Sequence, residues 1–316
     1  MTPIVEAVGV TCRVSGTPIL SGIDLSVTQG ETFAIIGESG CGKTTLGRVL
    51  LMLRAPSEGS VRFCGEDLAA FSPARLRAQR RRMQMIFQDP YASLNPRMTI
   101  GETLAEPLVV HGLATWRGAR EKVAEALQMV GLDPAFDKRL PQAFSGGQRQ
   151  RIAIARAVIA GPELVVADEP LSALDITVQG QILDLFQALR ERLGLTYVFI
   201  SHDLPVVRHF ADRVAVMLGG RIVEQGVPAE IFANPAHPYT RALLASVPIA
   251  NPVLAREILR QGGRHAGDAS RPSPAGACPF VSRCAHASAI CSAQMPPLRD
   301  VAAGWKAACW KQDTLQ

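Results

Sequence analysis

The run Gly37-Glu38-Ser39-Gly40-Cys41-Gly42-Lys43-Thr44 fits G-x-x-x-x-G-K-[ST] and directly follows the apolar stretch Phe33-Ala34-Ile35-Ile36. That pattern carries meaning only where a buried strand precedes it and a helix follows, and both conditions are met. Glycines let consecutive backbone N–H groups turn inward around phosphates, at the positive end of the next helix. Lys43 would reach the β- and γ-phosphates of a nucleoside triphosphate, and the Thr44 hydroxyl would ligate Mg²⁺. Thr45, next in the first helical turn, completes the phosphate-binding set. Cys41 reads as a small filler in this loop rather than a reactive thiol.

A second apolar run, Leu164-Val165-Val166-Ala167, leads into Asp168-Glu169. Two acids after a strand can simply end it. Paired with a phosphate loop, Asp168 would hold Mg²⁺ through water and Glu169 would orient or deprotonate the attacking water. Ser145 and Gln148 have capping-box spacing ahead of a helix through Ile152, Ile154 and Val158. A helix start alone does not explain Gly146 and Gly147, which weaken the first turn but free backbone N–H groups to approach an anion. His202 follows a third apolar run, Tyr197-Val198-Phe199-Ile200.

These residues need a scaffold, and the remaining pattern supplies one. Apolar runs without alternation predict a parallel sheet covered on both faces. Ile182, Leu185, Phe186, Leu189 and Leu193 mark the buried face of a crossover helix between two of the runs. Residues 90–160 read as helical, with Val123, Leu127 and Val130 at helical spacing. Shorter strands are predicted over Ile4–Val10, Ile19–Val27 and Ser60–Phe63, and Gly219-Gly220 reads as a two-residue hairpin turn. The expected architecture is a doubly wound α/β core over 1–232 with a helical insertion. After Phe232 the chain becomes richer in Pro, Gly, Ala and Ser, notably at Gly262-Gly263 and Pro272-Ser273-Pro274, which predicts a small appended domain over 233–316.

With 316 residues, 47% of them hydrophobic, the chain can bury a full core. Its 33 basic and 28 acidic residues leave a charge of +5, mild enough to fit phosphate ligands or an anionic membrane surface without requiring either. Arg75, Arg77, Arg80, Arg81 and Arg82 lack interleaved aromatics, so the run reads as a solvated or lipid-facing surface rather than a nucleic-acid site. No export signal and no long apolar span are read, so the chain is expected in the cytosol. Seven cysteines argue against a disulfide framework. Cys278, Cys284, Cys291 and Cys309 cluster near the C-terminus and offer four thiolates, enough for an iron–sulfur cluster or tetrahedral zinc.

Taken together, Phe144-Ser145-Gly146-Gly147-Gln148-Arg149-Gln150-Arg151 resembles the signature motif of the ATP-binding-cassette family. The resemblance implies a phosphate-loop ATPase with a RecA-like parallel sheet, an antiparallel β subdomain and a helical insertion. It implies further that two ATPase domains pair head to tail, with Ser145, Gly146, Gly147 and Gln148 of one closing on ATP held by the other. Gln88 matches the loop glutamine that senses Mg²⁺ and the γ-phosphate and contacts the membrane partner. Asp175, in Ser172-Ala173-Leu174-Asp175, matches the loop coupling the two sites, and His202 matches the switch histidine. The family's adenine-stacking aromatic aligns with Cys12, about 25 residues before the loop, which predicts weaker ATP binding or looser base selectivity.

Phe87-Gln88-Asp89-Pro90-Tyr91-Ala92-Ser93-Leu94-Asn95-Pro96 and Asn234-Pro235-Ala236-His237-Pro238-Tyr239-Thr240 resemble the dipeptide and oligopeptide permease branch. Nickel and other solute importers are close relatives within it. Membership implies a peripheral motor on the cytoplasmic face of the inner membrane, serving two separate permease subunits and an extracytoplasmic solute-binding protein. A second, different ATPase subunit is implied, with homodimerisation open. Resemblance also implies a [4Fe–4S] cluster on the four C-terminal cysteines, with Zn²⁺ as the alternative. A soluble cassette ATPase of DNA repair or translation is the rival class, but the coiled-coil or zinc insertions and paired cassettes of those proteins are not seen.

Overall fold

The computed structural model describes residues 3–246, 274 and 276–312. Gly262-Gly263 and Pro272-Ser273, in the stretch that predicts the appended domain, lie outside them. Two sheets organise the chain. Strands β1 (Pro3–Val14), β2 (Thr17–Thr28), β4 (Glu58–Phe63) and β5 (Glu66–Asp67) form an antiparallel sheet in the order β2-β1-β4-β5. The larger sheet contains β3 (Thr32–Gly37), β6 (Met83–Ile86), β7 (Leu164–Asp168), β8 (Thr196–Ile200), β9 (Arg213–Leu218), β10 (Arg221–Gly226), β11 (Arg299–Ala302) and β12 (Trp305–Ala307). Its order is β11-β12-β10-β9-β3-β8-β7-β6. The five strands from β9 to β6 are parallel, and β10, β12 and β11 add an antiparallel edge.

Every residue of β3, β7 and β8 is buried, as expected of strands covered on both faces. Val165, Ala167, Tyr197 and Phe199 pack on one face, against α4 (Ile100–Val110), α5 (Arg120–Met129), α6 (Gly146–Val158) and α7 (Ile176–Leu193). Leu164, Val166, Val198 and Ile200 pack on the other, against α1 (Lys43–Leu50) and the antiparallel sheet. Ile182, Leu185, Phe186 and Leu189 form the buried stripe of α7, but Leu193 is 39% exposed, because the helix reaches its left-handed Gly194 cap as it clears the core.

The run of arginines is mostly engaged. Arg75 pairs with Glu66 and stacks on Phe71, Arg80 and Arg81 donate to the Met52 and Ala160 carbonyls, and Arg82 pairs with Glu163. The surface is thus a set of local ties more than an open basic patch.

Beyond Phe232 the chain returns to the main sheet through a buried carboxylate. Glu224 on β10 is fully buried and accepts hydrogen bonds from the Ala236 and His237 N–H groups at 2.8 and 3.0 Å and from Trp305 Nε1 at 2.9 Å. One side chain thereby fixes the chain entering α10 (Pro238–Ala245) and the strand β12 that flanks β10. His237 is buried beside it and its Nδ1 accepts from the Tyr239 N–H at 3.0 Å, capping α10. Complete burial lowers the His237 pKa to about 3.

Between about 3 and the ordinary histidine value of about 6.5, the unfolded chain takes up a proton that the folded chain refuses. His237 therefore leaves stability intact above about pH 6.5 and removes it progressively as pH falls, by up to about 1.4 kcal/mol per unit. His237→Asn retains a capping acceptor without the titration. Urea midpoints measured from pH 7.5 to 4.5 are expected to fall less steeply for this variant than for the wild type; parallel profiles would show that His237 does not titrate in this way.

Candidate nucleotide-hydrolysis site

The loop of residues 37–42 leaves the C-terminal end of β3 and opens α1 without any side-chain cap; Gly42 holds the cap position at φ 104°. The first-turn N–H groups are thereby left for a ligand, the arrangement an anion requires. Gly37 has φ 150°, and a Cβ there would lie 2.2 Å from the Met217 carbonyl oxygen, so only glycine lets the loop turn against β9. Lys43 is buried and its Nζ donates to the Gly37 and Glu38 carbonyls at 2.8 and 3.0 Å, which holds the ammonium inside the loop. Cys41 is buried, and burial raises its pKa. Ser39, Gly40 and Thr45 complete the loop and the first turn of α1.

Thr44 Oγ1 donates to Asp168 Oδ1 at 2.9 Å, joining the first turn of α1 to the end of β7. Burial pushes the Asp168 carboxyl up from the ordinary range, and the Thr44 hydrogen bond opposes that shift. Two hard oxygens side by side at a phosphate loop suit Mg²⁺, which keeps several waters and takes only one or two carboxylates from its protein. Thr44 and Asp168 would hold it, and the ion would neutralise charge on the β- and γ-phosphates.

Glu169 stands apart from ordinary strand ends. Its φ is 46°, a left-handed conformation uncommon outside glycine. Its N–H donates to the Ile200 carbonyl at 3.0 Å and its carbonyl accepts from Ser172 Oγ at 3.0 Å, which fixes the turn. The carboxylate then meets Gln88 Nε2 at 3.1 Å and His202 Nδ1 at 3.3 Å. Two side chains, Gln88 after β6 and His202 after β8, thus converge on the carboxylate that follows β7.

The signature segment is formed as its spacing predicts. Ser145 Oγ accepts from the Gln148 N–H at 3.3 Å, and Gln148 Oε1 accepts from the Ser145 N–H at 3.0 Å. Gly147 has a second reason to be glycine that the spacing did not show: a Cβ would lie 2.7 Å from Val178 Cγ1 on α7. Among the described residues, Ser145, Gly146, Gly147 and Gln148 share no hydrogen bond with the phosphate loop of their own chain. Asp175 caps α7 by accepting from the Val178 N–H at 3.0 Å.

Two expectations change. Cys12 is 1% exposed and sits among the core residues behind β1, so it cannot stack on a base; the exposed residues at that end of the strand are Arg13 and Val14. Register shifts on both sides of Cys12 alter which face each residue takes, and counting back from the loop could not anticipate them. Cys278, Cys284, Cys291 and Cys309 do line one cavity, with His237, Phe280 and Trp310, and all are free thiols. Burial raises Cys278 to about 11 and raises Cys284 and Cys309 as well. Yet among the described residues no three of His, Cys, Asp and Glu are placed to hold a metal, so the thiols share a cavity without forming a ready ligand set.

A phosphate loop, an Mg²⁺-suited hydroxyl–carboxylate pair and a poised glutamate define a nucleoside-triphosphate hydrolase. Comparison with known proteins narrows the class. Residues 20–172 match the ABC transporter family model, and residues 223–291 match the model described as the C-terminal region of oligopeptide/dipeptide transporters. The chain is 46% identical to the oligopeptide transport ATP-binding protein AppF of Bacillus subtilis over 94% of its own length and 90% of that protein's. It is 42% identical to the dipeptide transport ATP-binding protein DppF of Haemophilus influenzae over 99% and 98%. An ATP-binding cassette solved as a post-hydrolysis dimer with ADP and Pi superposes with TM-score 0.64 at 30% identity, covering 71% of this chain and 98% of that one. The structure of cbiO1 from Clostridium perfringens, part of an ABC transporter complex, superposes with TM-score 0.68 at 26% identity, covering 83% and 100%. The chain belongs to the ATP-binding-cassette transporter family and is an ATP-hydrolysing subunit of it.

Cys12→Tyr forces a large ring into a filled core, at a cost on the order of 1–3 kcal/mol. Thermal unfolding is expected to shift down with no tightening of ATP binding; a tighter ATP complex at unchanged stability would restore Cys12 to the base site.

Proposed function

We propose that this chain powers import of dipeptides or oligopeptides through two separate membrane permeases, at the cytoplasmic face of the inner membrane. The carrying observation is the Glu169 carboxylate held between Gln88 and His202 at the edge of a cassette fold. In this reading Glu169 takes the proton of the attacking water, His202 supports the developing charge, and Lys43 with the loop N–H groups binds the phosphates. The identity to peptide-transport relatives over nearly the whole chain, and the match of residues 223–291, support peptides as the solute over nickel or another small molecule. We divide the chain into a motor over 1–232, with its helical part near 90–160, and an extension over 233–316.

A signature that shares no bond with its own phosphate loop supports pairing with a second ATPase subunit, whose ATP it would close upon. We favour a different chain as that subunit, working with an extracytoplasmic solute-binding protein. Among the described residues no helix is long and apolar enough to cross a membrane. A groove lined by Met85, Phe87, Pro107, Val110, Ala153 and Arg156 lies beside Gln88, with Phe87 and Val110 exposed. Its place suits the contact with a permease.

Glu169→Gln keeps the shape of the side chain and removes the base. The assembled transporter carrying it is expected to bind ATP, to hydrolyse it at least 100-fold more slowly, and to leave cells unable to take up a labelled dipeptide. Hydrolysis at the wild-type rate would remove Glu169 from this role, and normal dipeptide uptake by cells lacking the chain would remove the peptide assignment.

The four C-terminal thiols carry a subordinate proposal, that side-chain adjustment lets them bind [4Fe–4S] or, failing that, Zn²⁺. Their shared cavity supports it, and their present spacing opposes it. Protein purified without oxygen is expected to contain iron and sulfide, or zinc, which Cys284→Ser diminishes. Protein with neither visible absorbance nor bound metal would leave four structural thiols.

A further inference from the structure

Glu38 is a carboxylate within a loop built to hold polyphosphate. Its backbone carbonyl accepts from Lys43 Nζ at 3.0 Å, so its carboxylate lies within a side chain's length of the ammonium that would meet the phosphates. A negative charge there opposes an anionic ligand. It does not stand alone. Arg283, from the C-terminal extension 245 residues away, donates to both Glu38 carboxylate oxygens at 2.7 and 3.2 Å. Two parallel N–H···O bonds of this kind hold geometry as well as charge.

The guanidinium is itself held. It lies over the rings of Phe280 and Tyr239, 5.1 and 5.8 Å from their centroids, and is 18% exposed. Tyr239, 1% exposed, accepts the Glu38 N–H on its hydroxyl at 2.9 Å, so the extension grips this residue by backbone and side chain together. On the neighbouring turn Gly219 faces Pro279, where a Cβ would come within 3.0 Å of the proline ring. Arg283 is also next in sequence to Cys284, one of the four thiols lining the C-terminal cavity.

We propose that Arg283 is a positioning residue that acts on the nucleotide site through Glu38, whose charge it cancels, so that the C-terminal extension sets the affinity for ATP. The proposal rests on the nucleotide-site reading and extends it to the extension. A purely structural tie predicts that loss of either partner harms the loop. Charge cancellation predicts a signed pattern: unpaired Glu38 weakens ATP binding, unpaired Arg283 strengthens it, and loss of both restores it.

Equilibrium binding of Mg·ATP to the full chain separates the two. Arg283→Gln is expected to raise the dissociation constant on the order of tenfold, and Glu38→Gln to lower it. The double variant is expected to bind at least as well as wild type, Arg283→Lys to lose little, and the Arg283→Gln deficit to shrink as salt rises. An unchanged constant for Arg283→Gln, or a double variant as weak as Arg283→Gln alone, overturns the proposal. If Arg283→Gln fails to fold, Glu38→Gln alone decides, because binding no tighter than wild type is then the overturning result. Absence of ATP binding by the wild type would instead overturn the nucleotide site itself.

Discussion

Parallel pairing of β3, β8, β7 and β6 is the constraint from which the site follows. In its register Ile35 lies opposite Ile200, Ile200 opposite Asp168, and Ala167 opposite Ile86. All four strands therefore end within a residue or two of one another along one edge. Whatever follows each strand must gather there: the phosphate loop after β3, His202 after β8, Asp168-Glu169 at β7 and Gln88 after β6. Antiparallel pairing would send alternate strands to the opposite edge and scatter these residues. The Thr44–Asp168 hydrogen bond crosses from the helix after β3 to the end of β7, past β8, and exists because the ends are level.

Local chemistry of that edge was readable in the chain because each part depends on neighbours in sequence. Phosphate-loop glycines, the acids closing an apolar strand and the Ser145–Gln148 capping box are all defined within eight residues. What escaped is non-local. Strand β6 is only four residues long and follows an arginine run, so no periodicity marks it. Strands β11 and β12 are short, and the second becomes part of the core by pairing with β10, more than 75 residues earlier in the chain. The Gly304 turn before Trp305 was the available signal. Cys12 escaped differently: the strand predicted over Ile4–Val10 runs on to Val14, and bulges around Cys12 break the alternation that assigns a face.

The buried polar groups of the C-terminal half share one design. Glu224 costs desolvation wherever it sits, and three donors from two separated segments offset that cost only when both segments are docked. Arg283 and Glu38 repeat the arrangement at the surface of the phosphate loop. Such groups stabilise little in themselves, but they make misplacement of the segments after Phe232 costly, and so define where those segments lie against the sheet.

Glu169 finally ties the interior of the site to its surroundings. Its left-handed backbone is held by Ile200 and Ser172, so the turn is fixed and the freedom left is in the carboxylate. That carboxylate is restrained by Gln88 on one side and His202 on the other, and His202 is largely exposed. Gln88 follows Phe87, which lines the groove between β6 and the helical layer. An occupant of the groove that shifts this segment by about 1 Å would lengthen the 3.1 Å Gln88–Glu169 hydrogen bond beyond effective range. The glutamate would then lose one of the two side chains that orient it, without any residue of the phosphate loop having moved. If Glu169 acts as proposed, the groove and the phosphate loop are linked through that one Gln88 side chain.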